Sequence, residues 1–212
     1  MHLYGLIIGI AVVISLNYFE KNNQSIPKQK LNIFVFGLLI SLLIGARAYH
    51  VIDTWSYYSQ NIGQIINIPN GGLGIYGALI AGFLYVYIFS LCYQLSVLSL
   101  LDSITPILPL AQAIGRFGNY VNDEISIWWL ESLLCFILYF IMKTKALKRY
   151  RATALYLIGY GIIRLITEYF RTDTWIISNF KIANLISFIF VIVGIYLLKY
   201  PVRKLKAPSS SG

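Results

Sequence analysis

Seven apolar runs, at residues 3–19, 31–52, 73–95, 104–121, 126–142, 153–170 and 180–200, dominate the chain. Each is near the roughly 20 residues that an α-helix needs to span a bilayer, or slightly short of it. With 58% hydrophobic and only 12% charged residues, the chain carries about half the charge of an ordinary soluble domain. Its natural solvent is therefore lipid, and its 212 residues leave no room for a sizeable soluble domain beside the spans. The expected fold is all-α: a polytopic integral membrane protein of about seven transmembrane helices. One membrane domain is expected over residues 1–204, with a reduced outer head and a disordered tail over 205–212. Met1-His2-Leu3 lacks a basic lead, and no small-residue cleavage site closes the first run, so that run is expected to stay rather than leave as a signal peptide.

Charge placement orients the spans. Twelve of the 17 Lys and Arg residues fall in three segments: Lys21, Lys28 and Lys30; Lys143, Lys145, Lys148, Arg149 and Arg151; and Lys199, Arg203, Lys204 and Lys206. Seven spans put all three on one side, which the positive-inside rule makes cytoplasmic, with the N-terminus outside and the C-terminus cytoplasmic. The formal charge of +9 thus serves topology; it forms no basic stripe on a folded surface, and no nucleic-acid partner is expected. Residues 53–70, the longest connection, lie outside in this arrangement, and Trp55, Tyr57 and Tyr58 suit a headgroup boundary. Cys92 and Cys135 sit inside apolar runs as packing residues and imply neither a disulfide framework nor a metal site.

Five cations remain: Arg47, Arg116, Arg164, Arg171 and Lys181. All fall in the outer half or middle of the seven-span arrangement, against the push of the positive-inside rule, and an anionic partner on that side would explain them. On the sixth run Tyr160, Arg164, Glu168 and Arg171 follow at i, i+4, i+8 and i+11. That spacing is one stripe, climbing about 16 Å at 1.5 Å per residue. The fourth run, interrupted by two prolines and two glycines, carries Arg116, Asn119 and Asp123 on a second polar face. Two such faces suggest one shared cavity in which a lipid phosphate could be met from the side. The plainer reading of Arg164 with Glu168 is an intramembrane ion pair that fixes helix packing. Likewise Gly71-Gly72-Leu73-Gly74, at the start of the third run, allows either a tight turn that approaches an anion or simply close helix packing.

Taken together, these segments resemble the prolipoprotein diacylglyceryl transferase family over most of the chain. Leu3-Tyr4-Gly5-Leu6 is similar to the family's opening Trp-Tyr-Gly-Leu, and Gly71-Gly72-Leu73-Gly74-Ile75-Tyr76-Gly77-Ala78 to its Gly-Gly-x-x-x-His-Gly-Gly. Asp102 through Pro106 is similar to its Asp-x-x-x-Pro, and Gly115 through Glu124 to its Gly-Arg-x-Gly-Asn-x-x-Asn-x-Glu. Gly159 through Arg164, with Glu168 through Arg171, resembles its sixth-helix pattern. The resemblance implies transfer of the diacylglyceryl group of phosphatidylglycerol to the lipobox cysteine thiol of a preprolipoprotein, with release of glycerol phosphate, in the bacterial plasma membrane and from the outer leaflet. No metal or organic cofactor is implied.

Under that resemblance Arg116 and Arg164 are expected on the phosphate, steadying its developing charge. Asn119 and Asn122 are expected to orient glycerol or phosphate oxygens, Glu168 to hold Arg164, and Glu124 or Asp123 to hold Arg116. Tyr160 or Tyr76 is the candidate to act on the incoming thiol, Arg171 to guide headgroups, and Gly71 and Gly72 to approach the substrate; Tyr4 is carried over by resemblance only. Three departures stand out. Tyr76 occupies the family's histidine position, Ala78 replaces a glycine, and the outer head that normally follows Glu124 is reduced or missing, with Glu131 alone surviving from the Gln-Leu-Tyr-Glu motif beyond it. The alternatives are a catalytically inactive relative that binds anionic lipid as a scaffold or chaperone, and a small lipid or anion transporter, against which the absence of an internal repeat counts.

Overall fold

The computed structural model describes residues 2–23, 25–121, 127–144, 151–171, 176–177 and 180–199. Its helices are α1 (His2–Asn22), α2 (Lys28–Asp53), α3 (Trp55–Tyr58), α4 (Ile75–Cys92), α5 (Val97–Ile104), α6 (Leu108–Val121), α7 (Trp128–Thr144), α8 (Ala152–Tyr169) and α9 (Ile182–Lys199). Between α8 and α9, β1 (Ile176–Ile177) and β2 (Phe180–Lys181) form a short antiparallel pair, Ile176 opposite Lys181. A long helical segment coincides with each apolar run. The fourth run is longer than its apolar core, because α5 continues through a 3-10 turn at Thr105–Ile107, where Pro106 sits, into α6. Among the described residues, four segments are long and apolar enough to cross a membrane: α2, α4, Val97–Val121 and α9. In α8, Arg164 and Glu168 dilute the apolar character, and α7 is 17 residues long.

Burial runs opposite to that of a water-soluble protein. Glu131 and Glu168 are wholly buried, while Phe36, Ile80 and Ile192 are each more than 60% exposed. Apolar side chains spread outward on this scale need a lipid surrounding, and carboxylates turned inward need protein partners.

Contacts divide the chain into two compact units, Asn23–Leu100 and Met1–Asn22 with Leu101–Gly212. In the first, α2 and α4 pack through Gly45 and Gly77, each of which lies so near the other's carbonyl that a Cβ there would collide with it. Ser41 Oγ donates to Ala81 O at 2.9 Å, and Tyr85 OH to Ile33 O at 2.9 Å, across the same pair. Beyond α2 the chain wraps around buried Arg47. Its Nε donates to Ile65 O at 2.8 Å, one terminal nitrogen to Gly71 O at 2.6 Å and Gly72 O at 2.9 Å, and the other to Gln64 O at 2.6 Å and Asn67 O at 3.2 Å. Gly71 and Gly72 adopt φ of 86° and 78°, which L side chains rarely accept and which this turn of the backbone requires. Arg47 thus has five intramolecular acceptors, and these carbonyls, not an external anion, account for its position.

The second unit packs α1 on α6, α6 on α7, α7 on α8 and α8 on α9. Ala113, Cys135, Leu138, Met142, Ala152, Tyr156 and Ile163 form its core. Gly161 and Gly194 bring α8 and α9 close; a Cβ on them would lie 2.9 Å from Ser187 O and 2.8 Å from Ala154 O. Both ends of α8 are tied by side chains from other elements. Asp102 Oδ1 accepts from Thr153 N at 2.7 Å and Thr153 Oγ1 at 2.6 Å, satisfying an orphan donor of the first turn. At the other end, Lys181 Nζ donates to Glu168 O and Arg171 O, both at 2.8 Å, where carbonyls and helix dipole favour a cation.

Candidate active site

The arginines on α6 and α8 meet at a carboxylate from α7. Arg116 donates to Glu131 Oε1 at 2.5 Å, and the Arg164 guanidinium lies 3.7 Å from Glu131 Oε2. Arg164 also donates to Glu168 Oε2 at 2.8 Å, one turn further along its own helix. The result is a chain of alternating charge, Arg116, Glu131, Arg164, Glu168, built by three helices. Both carboxylates are fully buried, whereas the arginine side chains keep 19% and 18% of their surface exposed. The carboxylates therefore anchor from inside, and the guanidinium groups present the accessible face. Two planar forks held at fixed orientation suit a bidentate oxyanion such as a phosphate.

Each of these groups is on its helix for a local reason. Ser132, next to Glu131, donates to Ala113 O on α6 at 2.9 Å and sets α7 against that helix three residues before Arg116. The α8 register follows from the cap at Asp102 and from the close pass at Gly161. Below the arginines, the Tyr156 and Tyr160 rings stack, 5.7 Å between centroids and 3° between planes. Gln112 Nε2 on α6 donates to Tyr156 OH at 2.8 Å. Tyr160 is thus a wall and floor element of the same cluster, packed against the unit's core.

Of the residues expected from sequence, Arg116, Arg164, Glu168 and Tyr160 lie together, and Asn119 sits one turn beyond Arg116 on α6. Arg171 does not continue the stripe. The last helical residue of α8 is Tyr169, Arg171 N turns back to Glu168 O at 3.3 Å, and Lys181 takes the carbonyl of Arg171, so the side chain leaves from a loop. Asn122, Asp123 and Glu124 lie outside the described residues, and Tyr4 is placed only by its position in the first turn of α1. Tyr76, Gly71 and Gly72 belong to the other unit. There the Tyr76 ring lies 6.0 Å from that of Tyr49, and the two glycine carbonyls hold Arg47.

Glu131 is the residue that sequence reasoning left out of the site. Its signal was present, since it is an acidic residue in an otherwise apolar segment, but its partners lie on other helices. Asp102 is similar: its motif was visible, and its role as a cap appears only in three dimensions.

The family model for prolipoprotein diacylglyceryl transferase matches residues 1–128 and 126–200. A protein of Finegoldia magna named phosphatidylglycerol–prolipoprotein diacylglyceryl transferase is 33% identical over 227 residues, covering 96% of this chain and 90% of the relative. Proteins of the same name from Streptococcus pneumoniae and Lactococcus lactis subsp. lactis are 33% and 32% identical, over 96% and 97% of this chain and 89% and 91% of their own lengths.

Proposed function

Because this chain belongs to the prolipoprotein diacylglyceryl transferase family, we infer that it transfers the diacylglyceryl group of phosphatidylglycerol to the cysteine thiol of a prolipoprotein. The observation that carries this reading to the residues is the Arg116–Glu131–Arg164–Glu168 chain, which presents two braced guanidinium groups toward an oxyanion. In the reaction the cysteine sulfur attacks the glyceryl CH2 that is esterified to phosphate. The C–S bond forms, the C–O bond breaks with its electrons going to the phosphate oxygen, and the thiol proton passes to a base. Charge builds on the departing glycerol phosphate, where two fixed cations lower the barrier most.

In this account Arg116 and Arg164 bind the phosphate, and Glu131 and Glu168 hold their orientation. Asn119, with Asn122, orients oxygens of the donor, Glu124 or Asp123 adds a second partner to Arg116, and Arg171 gathers headgroups at the mouth. Tyr160, in the same unit as the two arginines, receives the thiol proton, and Tyr4 lines the approach. The chain is a bacterial membrane protein with seven spans in one membrane domain, its N-terminus outside and C-terminus cytoplasmic, and its site open to the outer leaflet of the plasma membrane. Support for this arrangement comes from the basic segments, which fall on one side under seven spans. The acceptor is a lipobox peptide. The family match runs in two pieces that meet at residues 126–128, where the outer head is missing from the sequence, which favours a reduced head.

The test is transfer from phosphatidylglycerol to a lipobox peptide by the purified protein, followed by the mass gain of the peptide. Arg116→Ala and Arg164→Ala should each lower kcat by roughly 100-fold or more, as loss of one charge-stabilising donor does. Full activity in both variants rules the assignment out. Lipid binding without transfer in the unaltered protein would identify a scaffold instead.

A further inference from the structure

On the side of α8 that faces α9, a groove of about 400 Å³ is lined by Leu165, Glu168, Tyr169, Lys181, Asn184 and Phe188. Its two kinds of lining separate along the helices. Leu165 and Phe188 form an apolar wall, while Glu168, Lys181 and Asn184 make its other end polar.

Three features of that polar end are incomplete. Glu168 gives Oε2 to Arg164, but its Oε1 is buried without a hydrogen-bond partner. Asn184 Oδ1 is likewise buried and unpartnered. Lys181 Nζ spends two donors on Glu168 O and Arg171 O, and an ammonium has three. Buried acceptors left unpaired are costly, and two of them in one groove call for a ligand that donates hydrogen bonds. The cation beside them disfavours a donor that is itself positively charged, such as an ethanolamine ammonium. A neutral group with two adjacent hydroxyls meets both requirements.

We propose that this groove reads the headgroup of the donor lipid: the two glycerol hydroxyls donate to Glu168 Oε1 and Asn184 Oδ1, beside the Lys181 ammonium. Glu168 then has two tasks, one carboxylate oxygen steadying Arg164 and the other sensing the headgroup. A correctly filled groove is thereby coupled to the orientation of the phosphate-binding arginine. Asn184 is the specificity-determining residue, since among the described residues it makes no hydrogen bond to the charged chain. The proposal rests on phosphatidylglycerol being the donor.

The experiment compares phosphatidylglycerol with phosphatidylpropanol, which keeps the acyl chains and phosphate and lacks both headgroup hydroxyls. kcat/KM for transfer to a lipobox peptide is measured with the unaltered protein, Asn184→Leu and Asn184→Asp, the last retaining an acceptor oxygen. The unaltered protein should prefer phosphatidylglycerol by roughly 10- to 100-fold, because a site built to bind a hydroxyl rejects the analogue that lacks it. Asn184→Leu should bring the ratio to within about threefold through loss on phosphatidylglycerol, and Asn184→Asp should keep a clear preference. No preference in the unaltered protein, an unchanged ratio in Asn184→Leu, or equal losses on both lipids overturns the proposal. If no variant transfers either lipid, the donor reading fails, and native mass spectrometry of the two lipids bound to the same three proteins decides the headgroup site. Selective binding of phosphatidylglycerol that disappears in Asn184→Leu supports it, and equal binding of both lipids refutes it.

Discussion

Glu131 lies between two arginines from different helices, and its removal therefore does more than delete one ion pair. In Glu131→Gln the carboxylate charge disappears while a hydrogen-bonding oxygen remains, so Arg116 and Arg164 keep their places only loosely. Activity should fall roughly 100-fold, the scale of loss for small misplacements of binding groups, with the larger effect on kcat than on KM. A rise in KM of that size with kcat unchanged would indicate a purely binding role. Arg116 and Arg164 were visible in the sequence because a cation in an apolar run is expensive wherever it goes. Glu131 was not assigned because its partners are 15 and 33 positions away and the pairing is set by how α6, α7 and α8 pack. Arg47 shows the opposite failure. It has the same sequence signature as the site arginines, but its partners are backbone carbonyls, which every sequence contains and none advertises. An ammonium cannot reach five of them, so Arg47→Lys should cost about 2–4 kcal/mol through buried carbonyls left unpaired. Faster hydrogen exchange over residues 62–74, without change in α7 or α8, is the expected sign.

The element that carries the chemistry is α8, and its two ends are fixed from outside. Loss of the cap in Asp102→Ala should lower stability by about 1 kcal/mol and reduce activity through a shift in α8, while Asp102→Asn, which keeps an acceptor oxygen, should lose less. Thermal unfolding of both variants, read with activity at a temperature well below Tm, separates the two effects. The packing of α8 on α9 gives a sharper test, because a Cβ at Gly161 already meets Ser187 O and Val191. Gly161→Leu should abolish folding or activity, and Gly9→Leu, at a position where a Cβ meets nothing, should be tolerated. The runs of apolar residues located the long helices, since length and polarity decide where a helix can sit in lipid. Their ends were harder to place. α8 closes at Tyr169, before Arg171, where Lys181 of the nearby β2 supplies a cation to its last carbonyls, and α5 covers residues 97–104, nearly all of which the run boundaries leave between the third and fourth spans.

Across the whole molecule, the inside-out burial of carboxylates and the outward spread of large apolar side chains agree with the composition, from which the membrane character could be read directly. The sidedness rests on basic segments and is testable by single-cysteine labelling in a Cys92→Ser background, with buried Cys135 kept. A cysteine at Ser59 should react with an impermeant maleimide from outside intact cells, and one at Ser25 only after permeabilisation. The reverse pattern would invert the topology and move the site to the inner leaflet. If the outer head is reduced as proposed, the peptide acceptor must be seated by the membrane helices and the loops between them. The most direct measurement is therefore the stoichiometry of the reaction in phosphatidylglycerol vesicles containing the purified protein and a lipobox peptide. The account predicts one glycerol phosphate released for each thioether-linked diacylglyceryl peptide formed, with no release from a peptide whose cysteine is replaced by serine. Glycerol phosphate released at the same rate without the thiol, or no product at all, would contradict it.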